Sequence, residues 1–420
     1  MSFSVSPAVE RLCEEALGAV RPAFEDIDAT AWENQKKVQR AFYDNRVSDT
    51  HFAGTTGYGY DDRGRDVCEA VFAQIFGCES AIVRYSLVSG THALCVALFG
   101  VMRPGRTLLA VTGKPYDTLD EVIGLREGGQ GSLREFGIGY RQVDMKNGEV
   151  DFDGIRAALK EDVSAVFIQR SKGYDLMRPT LSSEEVGGIC SFVKGIRSDV
   201  VCIVDNCYGE FVDLTEPTQH GADIIVGSLI KNPGGGMARG GAYIAGRRAL
   251  VDRCACRMTA PGIGAECGAT YGQNGEILKG LFFAPHVTAQ ALKTAQLCAA
   301  VMKKLGYDVS PEPGQTRHDI IQTVRFNEKE PMIAFIQGVQ KGAPVDSFAE
   351  PQPWAMPGYG DEVIMAAGAF VQGASIELSA DAPVRPPYIA YMQGGLTFES
   401  GRLGIMLAVQ SMLDKGSISL

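Results

Sequence analysis

The chain contains 420 residues with a formal net charge of −10, and 45% of its residues are hydrophobic. This length allows a large buried core and two or three domains. The acidic balance excludes a general nucleic-acid-binding protein, because such proteins need a basic surface.

The sequence shows no targeting, membrane or metal segment. Its N-terminal residues lack a basic region followed by an apolar run, and no apolar stretch could cross a bilayer, so we expect no signal peptide and no membrane partner. The 11 cysteines are scattered, which indicates buried free thiols and a cytoplasmic location. Cys254, Cys256 and Cys267 resemble a metal cluster but lack a second ligand pair, so we expect no metal site.

The first part of the chain predicts an N-terminal helical segment over residues 1–50. Leu12, Ala16 and Val20 recur at helical spacing, and a second amphipathic run follows. Helices at this position are expected to pack on another domain or subunit.

A glycine- and aromatic-rich loop comes next. It begins at Phe52 with the sequence FAGTTGYGYDDRGRD and has no regular period. Such loops carry function more often than core packing, although an ordinary surface loop is an equal alternative. Tyr58 and Tyr60 are the candidate functional side chains.

A strand over residues 81–86 leads to Ser89, Gly90 and Thr91 and then to a helix. A Ser-Gly-Thr turn at a helix N-terminus presents free N–H groups, two hydroxyls and the positive end of the helix dipole, which suits a phosphate. The alternative is that Ser89 is a plain N-cap.

The next strand, residues 106–112, ends in Gly113-Lys114-Pro115-Tyr116. The Gly-Lys pair is not a P-loop, because Pro115 stands where Ser or Thr is required. Tyr116 lies at a strand end, where open α/β sheets bind ligands.

Apolar strands then alternate with helices. Residues 164–169 and 200–204 predict strands, and a capping box at Ser182 begins a helix between them. The alternation predicts an α/β fold with a large, mostly parallel sheet and helices on both faces, over residues 51–285. Asp205 ends a continuously apolar strand, so its carboxylate must have a partner.

Lys231 lies between a short apolar strand at 223–227 and a glycine-rich turn. An ammonium group that is out of water is costly, and a lysine driven toward neutrality is a nucleophile that can form a Schiff base. A solvated loop lysine is the alternative that this segment alone favours.

Residues 286–420 predict a smaller α+β C-terminal domain. Residues 319–326 and 332–336 predict strands, and residues 403–413 predict a terminal helix. A helix over residues 284–305 is expected to bridge to this domain.

Together these segments form an ordered constellation. A Ser-Gly-Thr turn, a strand-end tyrosine, an aspartate and a lysine follow one another along an α/β pattern. Pyridoxal 5′-phosphate needs a phosphate cradle, a ring to stack on, a carboxylate for its ring nitrogen and a lysine. The order of the four therefore predicts this cofactor.

The chain resembles fold-type-I pyridoxal phosphate enzymes, with a seven-stranded sheet domain of the transferase-like kind. More narrowly, it resembles the cystathionine β-lyase and methionine γ-lyase-related family known as aluminium-resistance proteins. The segments that carry the resemblance are Thr56–Val67, Ser89–Cys95, Val204–Val212 (VDNCYGEFV), Ser228–Met237 (SLIKNPGGGM), Phe370–Ala382 (FVQGASIELSADA) and Arg385–Ile389.

The resemblance implies a role for each matching residue. Lys231 holds the cofactor, Asp205 keeps its ring nitrogen protonated and Tyr116 stacks on the ring and acts as a candidate general acid. The expected phosphate and cofactor contacts are Ser89, Gly90, Thr91, Ser228, Tyr208 and, from a neighbouring subunit, Tyr58 and Tyr60. Arg385 binds the substrate carboxylate, because a planar bidentate donor suits that group.

The resemblance implies a carbon–sulfur lyase that eliminates a thiol from a sulfur-containing amino acid, in a homodimer or homotetramer with shared active sites. An aminotransferase of the same fold is the main alternative. A nicotinamide-binding protein is disfavoured, because Arg239 stands where a G-x-G-x-x-G motif needs its third glycine. A non-catalytic ligand-binding protein is also possible on this fold.

Overall fold

The computed structural model describes residues 3–126, 129–174, 178–356 and 360–420. Its α-helices are α1 Pro7–Asp44, α2 Arg63–Ile75, α3 Gly90–Val101, α4 Leu119–Ile123, α5 Phe152–Ala158, α6 Ser183–Ile196, α7 Arg248–Met258, α8 Asn274–Lys304, α9 Lys329–Lys341 and α10 Phe398–Asp414. Its strands are β1 Ser80–Arg84, β2 Thr107–Ala110, β3 Gly139–Gln142, β4 Val163–Gln169, β5 Val201–Asp205, β6 Ile224–Ser228, β7 Ala242–Gly246, β8 Asp308–Ser310, β9 Gln322–Arg325, β10 Trp354–Ala355, β11 Glu362–Ala366, β12 Ser379–Pro383 and β13 Ile389–Gln393.

The chain divides into two compact units. The larger unit contains residues Asn34–Leu229 and Met237–Phe282. The smaller unit contains Met1–Glu33, Ile230–Gly236 and Phe283–Leu420. The short segment around Lys231 therefore groups with the smaller unit, although the strands on either side of it belong to the larger one.

The larger unit is built on a mostly parallel sheet. Seven strands of its described part pair in the order β1-β7-β6-β5-β4-β2-β3. The pairs among β2, β3, β4, β5 and β6 are parallel, whereas β7 runs antiparallel to both β6 and β1. The predicted α/β fold with a large, mostly parallel seven-stranded sheet is confirmed.

Helices cover both faces of this sheet. Ile203, Val226 and Ile244 point to one face, where they share a core cluster with α3 and α7. Tyr243 points to the opposite face, where its ring lies 6.2 Å from that of Phe72 in α2. Side chains alternate across a strand, so the continuously apolar strands bury both of their faces, as parallel sheets do.

Three adjacent parallel strands, β4, β5 and β6, carry polar residues where they end. Asp205 is in register with Gln169 on one side and Val226 on the other. Residues paired in a parallel register point to the same face, and Val226 belongs to the α3 face. Ser228 lies two residues beyond Val226, so it also points to that face. The carboxyl edge of the sheet therefore carries a row of polar side chains beneath α3.

The smaller unit has its own mixed layer of strands and helices. Six strands of its described part pair in the order β10-β11-β12-β13-β9-β8, and all of these pairs are antiparallel. The prediction of a strand over residues 332–336 was wrong, because these residues lie within α9. Met332, Phe335, Ile336 and Val339 are buried at helical spacing, and a short apolar run does not distinguish a strand from a buried helix.

The described residues contain neither a helix that could cross a bilayer nor a group of three side chains that could hold a metal ion. The 11 cysteines carry thiols rather than disulfides. Burial raises the pKa of Cys254 to about 12, and a thiol with so high a pKa is a poor nucleophile and a poor metal ligand.

Two consecutive glycines in α6 give a test of this packing. A Cβ at Gly187 would lie 2.5 Å from the Cβ of His220, whereas a Cβ at Gly188 would meet nothing within 4 Å. We expect Gly188→Ala to raise the free energy of unfolding by about 1 kcal/mol, since alanine favours a helix over glycine. Gly187→Ala should lower it, because His220 must move.

Urea unfolding of both variants beside the wild-type protein measures the difference. Both variants replace a glycine of α6 by alanine, so the gain in helix propensity is the same in each and drops out of their difference. Equal stabilisation by both would show that α6 does not pack on His220 in this way.

Candidate active site

The Ser-Gly-Thr turn lies against the end of β6. A Cβ at Gly90 would lie 3.4 Å from the Cβ of Ser228 and 3.6 Å from the Sγ of Cys207. These contacts are within the larger unit. The turn after β1, the end of β6 and the loop after β5 therefore meet, and a larger residue at position 90 would crowd the space between them.

The same turn begins α3 and is capped. Ser89 is the N-cap, and its Oγ accepts a hydrogen bond of 3.1 Å from the His92 N–H. The alternative prediction, that Ser89 is an N-cap, is thus confirmed. The capping hydroxyl accepts one hydrogen bond and can still donate its own proton to a ligand. Thr91 Oγ1 lies 2.9 Å from Thr118 Oγ1, so the turn is tied to the loop that carries Tyr116.

Asp205 lies at the end of β5 and is 7% exposed. Its Oδ1 accepts a hydrogen bond of 3.1 Å from the Cys207 N–H, and its carbonyl accepts one of 3.1 Å from the Arg170 N–H. A buried carboxylate at the carboxyl edge can bind a cationic ring nitrogen, because desolvation strengthens that pairing.

A buried charged network supports the loop that follows Asp205. Arg170 is completely buried and donates to Asn206 Oδ1 at 2.7 Å and to Asp213 Oδ2 at 2.6 Å. Its guanidinium also pairs with Glu216 at 3.5 Å, and Asn206 donates to Glu216 and to the Tyr243 hydroxyl. Because each buried charge has partners, the network holds one arrangement of the loop.

Burial and the nearby carboxylates of Glu210 and Glu216 raise the pKa of Tyr243 well above its usual value. The hydroxyl therefore remains a donor, and it binds Glu210 Oε1 at 2.8 Å. Next to this pair, Tyr208 and Phe211 have φ angles of 72° and 63°. Bulky residues rarely adopt this left-handed conformation, which persists where the surrounding contacts over-determine it.

Tyr116 lies in the loop after β2 and is half-buried. Its ring centroid is 5.6 Å from that of Tyr174 at an interplanar angle of 48°. Its Cδ2 lies 3.6 Å from the Cβ position of Gly173, in the loop after β4. The side chain is therefore placed by neighbouring strand-end loops.

Lys231 follows the end of β6 by three residues and is half-buried. Its segment packs within the smaller unit, where Ile230 Cδ1 lies 3.7 Å from the Cβ position of Gly373. Gly236 approaches Leu396 so closely that a Cβ there would lie 2.5 Å from Leu396 Cδ2. The glycine at position 236 thus allows a close approach that a larger residue would prevent.

The aromatic loop is exposed but anchored. Tyr58 is 71% exposed and Tyr60 is 55% exposed, and their rings stack with centroids 5.6 Å apart. The Tyr58 carbonyl accepts a hydrogen bond of 2.8 Å from the Gly268 N–H, and the Thr55 carbonyl accepts one of 3.1 Å from Tyr271. The backbone is held while the two rings face outward.

Arg385 lies between β12 and β13 in the smaller unit and is exposed. Its Nη1 forms an ion pair of 2.8 Å with Asp361 Oδ2. Both side chains face solvent, so this pair contributes little to stability and can be exchanged for another carboxylate.

The residues of the larger unit fit a phosphorylated, cationic ring. The tight approach at Gly90, the hydroxyls of Ser89, Thr91 and Ser228, and the N-terminus of α3 suit a phosphate. The buried Asp205 suits a protonated ring nitrogen at the same edge.

Comparison with known proteins agrees with this chemistry. Residues 9–413 match the family model described as methionine gamma-lyase. The chain belongs to the methionine gamma-lyase family. Membership of this family supports pyridoxal 5′-phosphate as the cofactor and a carbon–sulfur lyase as the class of enzyme.

Relatives with nearly the same length support the assignment to this family. A solved carbon–sulfur lyase involved in aluminum resistance, from Clostridium novyi NT, is 49% identical, with a TM-score of 0.94 over 98% of this chain and 97% of that one. The uncharacterized protein YnbB of Bacillus subtilis is 49% identical over 391 residues, 93% of each chain. The pyridoxal-5′-phosphate-dependent protein YhfS of Escherichia coli, 16% identical over 91% of this chain and 96% of that one, shares the fold with a TM-score of 0.60.

Several residues that shape the site have no recognisable motif. Cys207 contacts the Gly90 turn, Thr118 binds Thr91, and Arg170 holds the loop after Asp205. Their only sequence signal is that each lies within two residues of a strand end or of Tyr116. Their contacts depend on how the strand ends converge.

Asp62 gives a test of how the aromatic loop is held. It caps α2 by accepting a hydrogen bond of 2.9 Å from the Arg65 N–H, and it accepts others from Thr270, at 2.5 Å, and from Thr55. Burial acts to raise the pKa of Asp62, but these hydrogen bonds outweigh burial and hold the pKa below its usual 3.8. The charged form is therefore favoured by folding.

A depressed pKa in the folded state contributes stability above the unfolded pKa, and this stability is lost as the pH falls through the folded pKa. We expect Asp62→Asn to be less stable than the wild-type protein at pH 7, and the difference to shrink below about pH 4. Urea unfolding at several pH values measures it. A difference that is constant with pH would contradict the hydrogen-bonded carboxylate.

Proposed function

We propose that this protein is a pyridoxal 5′-phosphate-dependent lyase that eliminates a thiol from the β- or γ-carbon of a sulfur-containing amino acid, and gives a keto acid and ammonia. The observation that carries the proposal is the meeting of the Gly90 turn with Ser228, beside the buried Asp205. Membership of the methionine gamma-lyase family supports the class of reaction.

The cofactor supplies an aldehyde that reacts with amines and a cationic ring that stabilises negative charge at the substrate's α-carbon. In our proposal Ser89, Gly90, Thr91 and Ser228 bind its phosphate through hydroxyls and N–H groups. Asp205 keeps its ring nitrogen protonated, and the desolvated position of that carboxylate strengthens the pairing.

Lys231 is the proposed covalent anchor. Its amine would also serve as the base that removes the substrate's α-proton. Tyr116 covers the ring and donates a proton to the leaving sulfur, and Tyr208 contacts the cofactor from the loop after Asp205. The half-buried positions of Lys231 and Tyr116 support these roles, because partial burial limits solvation of both groups.

We further propose that Tyr58 and Tyr60 act on the site of a second copy of the chain. Two stacked, exposed aromatic rings on an anchored backbone lose little conformational freedom on binding. Tyrosine also brings a hydroxyl that can reach a phosphate. The active assembly would thus be a homodimer or homotetramer with shared active sites.

Arg385 is the proposed partner of the substrate's α-carboxylate. It is bound to Asp361 by one nitrogen, so a substrate carboxylate would replace Asp361. A bidentate pairing with the substrate is stronger than the exposed single contact it replaces.

The covalent role of Lys231 is tested by absorption and borohydride reduction. We expect the protein, loaded with pyridoxal phosphate, to show a visible band that borohydride abolishes, and to retain the reduced cofactor covalently. Lys231→Ala should lack the covalently retained cofactor, because the anchoring amine is gone.

Lys172→Ala is the matched control for this experiment. Lys172 lies in another strand-end loop, after β4, and is buried, with 3% of its surface exposed. It should keep the band and the borohydride-retained cofactor. If Lys172→Ala loses the retained cofactor and Lys231→Ala keeps it, the anchor is Lys172 and our assignment of Lys231 is wrong.

The reaction class is tested with cystathionine, cysteine and methionine. We expect release of ammonia and a keto acid from at least one of them without any added keto acid, and a loss of more than about 100-fold in Lys231→Ala. Pyruvate from cystathionine indicates β-elimination, and 2-oxobutyrate from cystathionine or methionine indicates γ-elimination.

The same assay separates the two candidate classes. Amino transfer that requires a keto acid and releases no ammonia would favour an aminotransferase over the lyase. Absence of turnover with all three substrates, in a protein that holds the cofactor covalently, would leave the cofactor assignment intact but contradict the lyase proposed for these substrates.

A further inference from the structure

The row of polar residues at the carboxyl edge contains a glutamine that the proposed reaction does not use. Gln169 ends β4, lies in register with Asp205 and is 2% exposed. Phe167, two residues earlier, belongs to the α3 face. The Gln169 side chain therefore points to the same face of the sheet as Asp205.

One end of the Gln169 amide is satisfied by the protein and the other is not. Nε2 donates a hydrogen bond of 3.2 Å to the Ser171 carbonyl. Oε1 is buried, and no donor in residues 3–126, 129–174, 178–356 or 360–420 forms a hydrogen bond with it. A buried acceptor without a partner is costly, about 1–3 kcal/mol, and native proteins rarely keep one without a reason.

The surroundings of this amide suggest what the donor is. The Cβ position of Gly173 lies 2.7 Å from Gln169 Nε2 and 3.6 Å from Tyr116 Cδ2. The amide is thus near the edge of the Tyr116 ring, and Gln169 is paired with Asp205 in the sheet. Both of these residues are assigned to the cofactor ring in the proposed function.

We propose that Gln169 is a further ligand-contacting residue of this site. Its Oε1 accepts a hydrogen bond from an O–H or N–H donor of the bound ligand. The inference rests on the proposed function, in which pyridoxal phosphate, through its ring hydroxyl, or the amino-acid substrate, through its amine, supplies that donor. The hydrogen bond from Nε2 to Ser171 fixes the amide so that its oxygen is the end presented to the ligand.

The position of Gln169 is maintained by a second, separate contact. Its backbone N–H donates a hydrogen bond of 2.9 Å to Thr112 Oγ1, and Thr112 is 1% exposed and lies two residues after the end of β2. Removal of the Thr112 hydroxyl disturbs the same strand ends but takes no polar group from the ligand. Thr112→Val is therefore a matched control for Gln169→Met, which removes the amide with nearly the same volume.

Two measurements on the purified full-length protein distinguish the two donors. The Kd of pyridoxal phosphate, titrated into the cofactor-free protein without substrate, reports a contact to the cofactor. The KM for the substrate that releases most ammonia, measured with saturating cofactor, reports a contact to the substrate. We expect Gln169→Met to raise one of these constants about tenfold, and Thr112→Val to change neither by more than about twofold.

Unchanged Kd and KM in Gln169→Met would overturn the inference, as would an equal rise in both variants, which would indicate a general disturbance of the strand ends. If Gln169→Met does not fold by circular dichroism, Gln169→Asn, which withdraws the amide by one methylene group, is judged by the same criteria. If the wild-type protein, loaded with pyridoxal phosphate, shows no visible band, the proposed function itself is contradicted. That result is distinct from a failure of the inference about Gln169.

Discussion

Parallel pairing of the strands is the constraint on which the candidate site depends. Strands β2, β4, β5 and β6 run in the same direction, so the residues that follow them meet at one edge. The antiparallel strand β7 lies between β6 and β1 and returns β1 to that same direction. The Ser89 turn after β1 therefore reaches the edge where Asp205 and Ser228 lie, although Ser89 precedes both of them by more than a hundred positions in the chain.

Behind this edge, buried charges make the loop after β5 rigid. Arg170 has no exposed surface and is surrounded by Asn206, Asp213 and Glu216. Breaking one such buried pair leaves an uncompensated charge in the interior, which typically costs about 3–5 kcal/mol. The loop that contacts the Gly90 turn through Cys207 is thus determined by interactions outside the site, as preorganisation of a ligand site requires.

The aromatic loop differs from the loop after β5, because its backbone is fixed while its large side chains are exposed. Its backbone is tied to residues 268–272 and its one buried carboxylate, Asp62, is saturated by hydrogen bonds. The large side chains, Tyr58 and Tyr60, remain outside. A held backbone with exposed rings suits recognition of another molecule better than packing within the same one, because the backbone is already ordered and binding costs little further entropy.

Local patterns in the sequence were sufficient to predict the α/β class, the strands that end at Gln169 and Asp205, and the capping box of α6. They also indicated which kinds of side chain to consider as candidate site residues. These features depend on period, capping and turn chemistry, which act over a few residues. The helix at 329–341 was missed because a short apolar run satisfies a strand and a buried helix equally. Tertiary structure alone decided that Gly90 approaches Ser228 and Cys207. It also decided that Arg385 forms an ion pair with Asp361, and that the side-chain oxygen of Gln169 is buried on the strand next to Asp205. Contacts between distant strand ends depend on the order and direction of the strands in the sheet, which no local pattern encodes.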